Sequence, residues 1–102
     1  MTAPTLITAA NGRNWLVFDA LDTPEWRVAR AWLSREGFIE SGAVVQGLDE
    51  AILPSLVRRG VAIAAGFDNW SGHYLLAECK EGDQVLLQIA DRVAAKDCRS
   101  LA

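Results

Sequence analysis

The sequence predicts a small α+β domain in which helices pack on a mixed or antiparallel sheet. Three observations carry that prediction. Residues 61–79 place two apolar, alternating runs around a polar turn, the pattern of a β-hairpin. Thr23-Pro24-Glu25 opens a stretch of helical period with one apolar and one basic side. At 102 residues, 51% apolar and 23% charged, the chain is globular in composition and has room for one core.

Residues 1–12 are small and polar with Pro4 and Gly12, and read as a flexible arm from which Leu6 and Ile7 can dock as an edge strand. Trp15-Leu16-Val17-Phe18, closed by Asp19, reads as a strand buried on both faces. A helix is expected over 24–36. Threonine caps it, proline suits its first position, and the glutamate favours the positive end of the dipole. Trp26, Val28, Ala29, Trp32 and Leu33 share one half of the cylinder, Arg27, Arg30 and Arg35 take the other, and Gly37 ends it.

Gly42 to Gln46 reads as a short strand. Asp49 and Gly60 bracket a second expected helix over 49–59, which Pro54 should kink. The hairpin pairs 61–67 with 73–79 across a five-residue loop, Asp68 to Gly72. Glu81-Gly82-Asp83 reads as a turn, with Asp83 capping a third helix over 83–95. The apolar arc of that helix, about 200° wide, exceeds what one sheet contact needs. The domain then spans 13–97, and 98–102 forms a tail.

The hairpin's two faces follow from alternation. Phe67 with His73, Ala65 with Leu75, Ile63 with Ala77 and Val61 with Cys79 share one face. Ala62, Ala64 and Gly66 lie opposite Glu78, Leu76 and Tyr74 on the other, with the Tyr74 ring expected over Gly66. That second face is made of small residues and is open to a helix, a sheet or another subunit. His73 and Cys79 stand roughly 20 Å apart along such a strand, too far for a nucleophile–base pair.

Composition narrows the function classes. A net charge of −3, with ten Lys and Arg against thirteen acids, argues against nucleic-acid binding. Residues 1–14 lack a basic segment followed by an apolar one, so no secretion signal is expected, and no apolar run suits a membrane span. Cys79 and Cys98 then read as free thiols in a cytoplasmic protein. No phosphate-binding loop, nucleophile elbow, C-x-x-C or H-E-x-x-H pattern occurs, and no metal or cofactor is expected.

Four tryptophans are many for this length, and three of them suit the core. Trp70, at the hairpin tip, does not, and reads as an interface anchor together with Asn69, Ser71 and Tyr74. If chemistry exists, it belongs to His73, the single histidine, as proton acceptor with Asp68 orienting it. Asp19, Asp22 and Asp68 would converge as a cation site only if their strands were parallel neighbours. The mean hydropathy of +0.12 leaves more apolar material than a lone core absorbs. The reading is therefore a protein–protein interaction domain, itself a homodimer and open to another protein partner. The alternative is a small-molecule-binding or hydrolytic domain around His73 and Asp68.

Overall fold

Backbone pairing in the computed structural model runs from β1 (Thr5–Thr8) and β2 (Asn14–Val17) through α1 (Pro24–Arg35) to β3 (Ile39–Ser41) and β4 (Val45–Gln46). It continues with β5 (Glu50–Arg58), β6 (Val61–Asp68), β7 (Gly72–Ala77) and α2 (Lys80–Leu101). The structure describes residues 4–69 and 72–101, with side chains along the last helix as far as Val93. Among these, the strands form one seven-stranded antiparallel sheet in the order β1-β2-β7-β6-β5-β3, with β4 also on β5. The fold is α+β with two helices among the described residues, and neither is long and apolar enough to cross a membrane.

The helix expected over 49–59 is instead β5, the longest strand. Ile52, Leu53, Leu56 and Val57 would share one side of a helix, whereas Ala51, Leu53 and Leu56 share one face of a bulged strand. Proline decides between them. In a helix interior Pro54 removes a bond and clashes with the preceding turn. In the strand it sits where the β5–β6 register shifts, between Leu53 and Leu56, and the bulge absorbs the missing donor.

Helix α1 follows its caps. The Thr23 side chain accepts the Trp26 N–H at 3.1 Å. At the other end, Gly37 at φ +92° lets its own N–H reach Ser34 O and the Phe38 N–H reach Leu33 O, which turns the buried Phe38 back into the core.

The hairpin pairs Ile63 with Ala77, Ala65 with Leu75 and Phe67 with His73. Its ends differ from expectation. Asp68 and Gly72 continue the ladder, while β7 stops at Ala77 and leaves Glu78 and Cys79 outside it. Helix α2 starts at Lys80 rather than Asp83, because the Cys79 carbonyl accepts the Asp83 N–H and so begins the helix earlier. Asp83 is used elsewhere: its carboxylate accepts the Asn14 N–H at 2.8 Å and an Arg13 guanidinium N–H at 3.0 Å, pinning the start of β2 to the first turn of α2. Residues 98–101 continue that helix, and Thr5–Thr8 joins the sheet as the edge strand expected of Leu6 and Ile7.

Leu16, Ile63, Ala65, Leu75 and Ala77 share one face of the sheet, and both helices cover it with Trp26, Leu33, Leu86, Ile89 and Val93 in one cluster. The apolar arc of α2 is spent here. Val85, Leu86, Ile89 and Val93 are all buried, while Leu87 stays exposed.

Candidate functional site

His73 is the second residue of the central strand β7 and makes close polar contacts near the hairpin tip. Its N–H donates to Ala20 O at 3.0 Å, and its own carbonyl accepts the Phe18 N–H at 2.9 Å, so the chain after β2 remains laced to β7. The Asp22 N–H then donates to His73 Nδ1 at 2.7 Å. The imidazole lies flat on Trp26, with centroids 4.3 Å apart and planes 1° apart, and meets Phe67 edge-on at 5.5 Å.

The local backbone is built for this contact. Asp19 (φ 65°) and Asp22 (φ 50°) take left-handed conformations, which short polar side chains tolerate better than most. Gly72 is left-handed too, and a Cβ there would come within 2.2 Å of Ala20 N, so glycine is required by both conformation and space.

With Nδ1 accepting, the neutral ring carries its proton on Nε2. Burial lowers the His73 pKa below its ordinary value. The Asp22 carboxylate acts against that shift, and Arg30 adds to it. A base oriented by a carboxylate would move the other way.

Asp68 does not orient the ring. It pairs with Gly72 while Phe67 pairs with His73, so alternation sends the Asp68 and His73 side chains to opposite faces. Asp68 lies on the Tyr74 side, where burial first, then the charges of Asp68 and Glu50, raises the Tyr74 phenol above its usual range. Asn69 is exposed in the turn, and Trp70 and Ser71 lie outside the described residues. Asp19 and Asp22 reach the His73 end of the sheet, because β2 and β6 run in the same direction on either side of β7. No group of three His, Cys, Asp or Glu able to hold a metal occurs among the described residues.

A cleft of about 250 Å³ is lined by Arg30, Ser34, Phe38, Ile39, Glu40 and Leu56. Its charges are already paired, Arg30 with Glu40 at 3.1 Å.

The sheet face away from the helices is the larger candidate. By register it carries Trp15, Val17, Tyr74, Leu76, Ala62, Ala64, Val57, Ile52, Val45 and Ile39, with the carboxylates Glu50 and Asp68 at one end, and both helices pack on the opposite face. Trp15 meets Tyr74 edge-on at 5.9 Å, and the Tyr74 phenol lies over Gly66, where a Cβ would come within 2.5 Å of its oxygen. This pair roofs one half of the face. The other half is bare: Ile52 is 56% exposed, Val45 59% and Ile39 69%. Next to it, the turns flanking β4 expose Val44 and Leu48.

Sequence reasoning assigned the small-residue side of the hairpin to this face but missed its bare half, because the helix expected over 49–59 hid it. Alternation of Ala51 and Leu53 with Ile52, read with period two, was the available signal. Set against protein-family models, curated proteins and solved structures, the chain matches none of them.

Proposed function

We propose that this chain is a protein–protein interaction domain that works through the open face of its sheet, and that it homodimerises there. The observation that carries the reading is the exposure of Ile39, Val45 and Ile52 on a sheet face that the domain's own helices leave uncovered. Monomeric proteins rarely expose contiguous apolar patches of more than a few hundred Å². An antiparallel sheet with one wet face ordinarily alternates apolar-in with polar-out. Here the outward positions Ile39, Val45, Ile52, Val57, Ala62 and Ala64 are apolar as well, and the carboxylates of that face, Glu50 and Asp68, lie together at one end.

The geometry gives less to a ligand site at His73 and Asp68, since the two side chains leave opposite faces and Nδ1 serves the fold. Free Cys79 fits a reducing compartment, which supports a cytoplasmic setting.

Light scattering coupled to gel filtration tests the proposal. At micromolar concentration the mass should be twice the 11.1 kDa of the chain. Ile52→Asp should return it to the monomer while far-UV dichroism stays unchanged, because the residue points away from the core. A wild-type monomer at millimolar concentration would overturn the proposal.

A further inference from the structure

The loop between β2 and α1 is held by two kinds of hydrogen bond, and only one kind titrates. Backbone and cap bonds fix its ends. The Phe18 N–H donates to His73 O at 2.9 Å, the His73 N–H donates to Ala20 O at 3.0 Å, and Thr23 accepts the Trp26 and Arg27 N–H groups at the start of α1. Between these ends lie Leu21 and Asp22, both exposed, with Asp22 left-handed at φ 50°. A conformation that costs any residue with a Cβ is kept where its surroundings hold it. Here the Asp22 N–H bond to His73 Nδ1, at 2.7 Å, ties the segment to the sheet. Asp22 also meets Arg27, but both partners are exposed and such a pair contributes little.

Nδ1 accepts only while it is unprotonated. A proton there sets two N–H donors against each other at 2.7 Å. The ring is the less free of the two to move. It lies flat on Trp26, at 4.3 Å and 1°, and Phe67 meets it edge-on. A half-turn of the ring in that slot would put Cδ2 where Nδ1 was, and carbon accepts no better. An imidazolium is also drawn to the face of an indole. The loop therefore yields, and we propose that protonation of His73 unlatches Leu21 and Asp22 while the sheet and α1 stay formed. The β2–α1 loop is then a pH-gated element on the helix-covered side of the sheet, apart from the open face.

Among the described residues, two charges act on the ring. The loop brings the Asp22 carboxylate, which favours the proton, and α1 brings Arg30, whose guanidinium lies over Trp26 at 5.5 Å and opposes it. Of the other charged residues on these elements, Asp19 is exposed, Glu25 is buried in the first turn of α1, and Arg27 is tied to Asp22. Asp68, at the end of β6, leaves the opposite face. Burial outweighs Asp22, so the gate opens below the ordinary imidazole value of ~6.5.

Amide exchange read by NMR on the whole chain tests the gate. As pH falls below ~6.5, the Asp22 N–H should lose protection about tenfold, the worth of one net hydrogen bond. The loss should keep step with protonation of the ring, followed by its nitrogen shifts. The Phe18 and His73 N–H groups, whose acceptors do not titrate, should keep their protection. His73→Phe leaves a ring on Trp26 that accepts nothing, so its Asp22 N–H should be open at every pH. An Asp22 N–H that stays protected through the titration of the ring would overturn the gate. So would loss of all three protections together, which is opening of the sheet end, or a ring that stays neutral until the sheet unfolds. A protected Asp22 N–H in His73→Phe overturns it as well. Should that variant not fold, the wild-type titration decides alone.

Discussion

Replacing His73 by alanine tests whether this residue is a latch of the fold. The change removes the acceptor held by the Asp22 N–H at 2.7 Å and the ring stacked on Trp26 at 4.3 Å. The hydrogen bond contributes ~0.5–1.5 kcal/mol net, and an aromatic pair of this geometry adds ~0.5–1.5 kcal/mol beyond burial. Together the loss should be about 2 kcal/mol, which for a domain near 100 residues lowers Tm by roughly 8–16 °C.

The same latch sets a pH dependence. Burial depresses the His73 pKa in the fold, so the unfolded chain takes up the proton first, near its ordinary ~6.5. The contribution is therefore complete above about pH 6.5 and is lost as pH falls through the depressed folded value. His73→Phe keeps a ring on Trp26 without a titrating group, and should show no slope in that window. Urea titrations followed by tryptophan fluorescence at a series of pH values measure both effects. The reasoning fails if His73→Ala melts with the wild type, or if the wild type gains stability as pH drops below 6.5.

Two further substitutions probe the seams around the sheet. Asp83→Ala should cost roughly 1.5–3 kcal/mol in denaturant titration, the range for hydrogen bonds to a charged group, because Asn14 and Arg13 lose their shared acceptor. The Asp83 carboxylate is held below its ordinary pKa, first by the Asn14 N–H and then by Arg13, so this contribution is present above about pH 4 and is lost as pH falls through the lower folded value. Gly72→Ala should destabilise by more than about 1 kcal/mol, the scale of a backbone mismatch at positive φ, since its Cβ would strike Ala20. Thermal melts of Gly72→Ala and Gly60→Ala make the comparison, as Gly60 is equally left-handed but opens onto free space.

Where the sequence was readable, one short-range rule had no rival. Thr23-Pro24-Glu25 can only start a helix, and it does. Alternation through Ile63, Ala65, Leu75 and Ala77 puts them on one face, and all are buried. Residues 49–59 failed because their apolar spacing suits two periods, and the arbiter, Pro54, is tolerated by a bulge that no local pattern announces. Asp83 looked like a helix cap because its partners, Arg13 and Asn14, lie most of the chain away. The same distance hid the role of His73. Its partner is a backbone N–H on a loop that becomes its neighbour only when β2 pairs with β7.

That β2–β7 pairing has a consequence for how the chain reaches its fold. Strands β5, β6 and β7 follow one another and pair through short turns, so the meander closes locally and early. Leu16, fully buried in the finished core, pairs with Leu75. Closing that contact encloses most of the chain, which makes it a late, high-contact-order event. During synthesis β1 and β2 leave the ribosome long before β7 exists, and they wait as an unpartnered hairpin with an apolar edge. The interval before β7 emerges is when this protein is most exposed to pairing with the wrong strand.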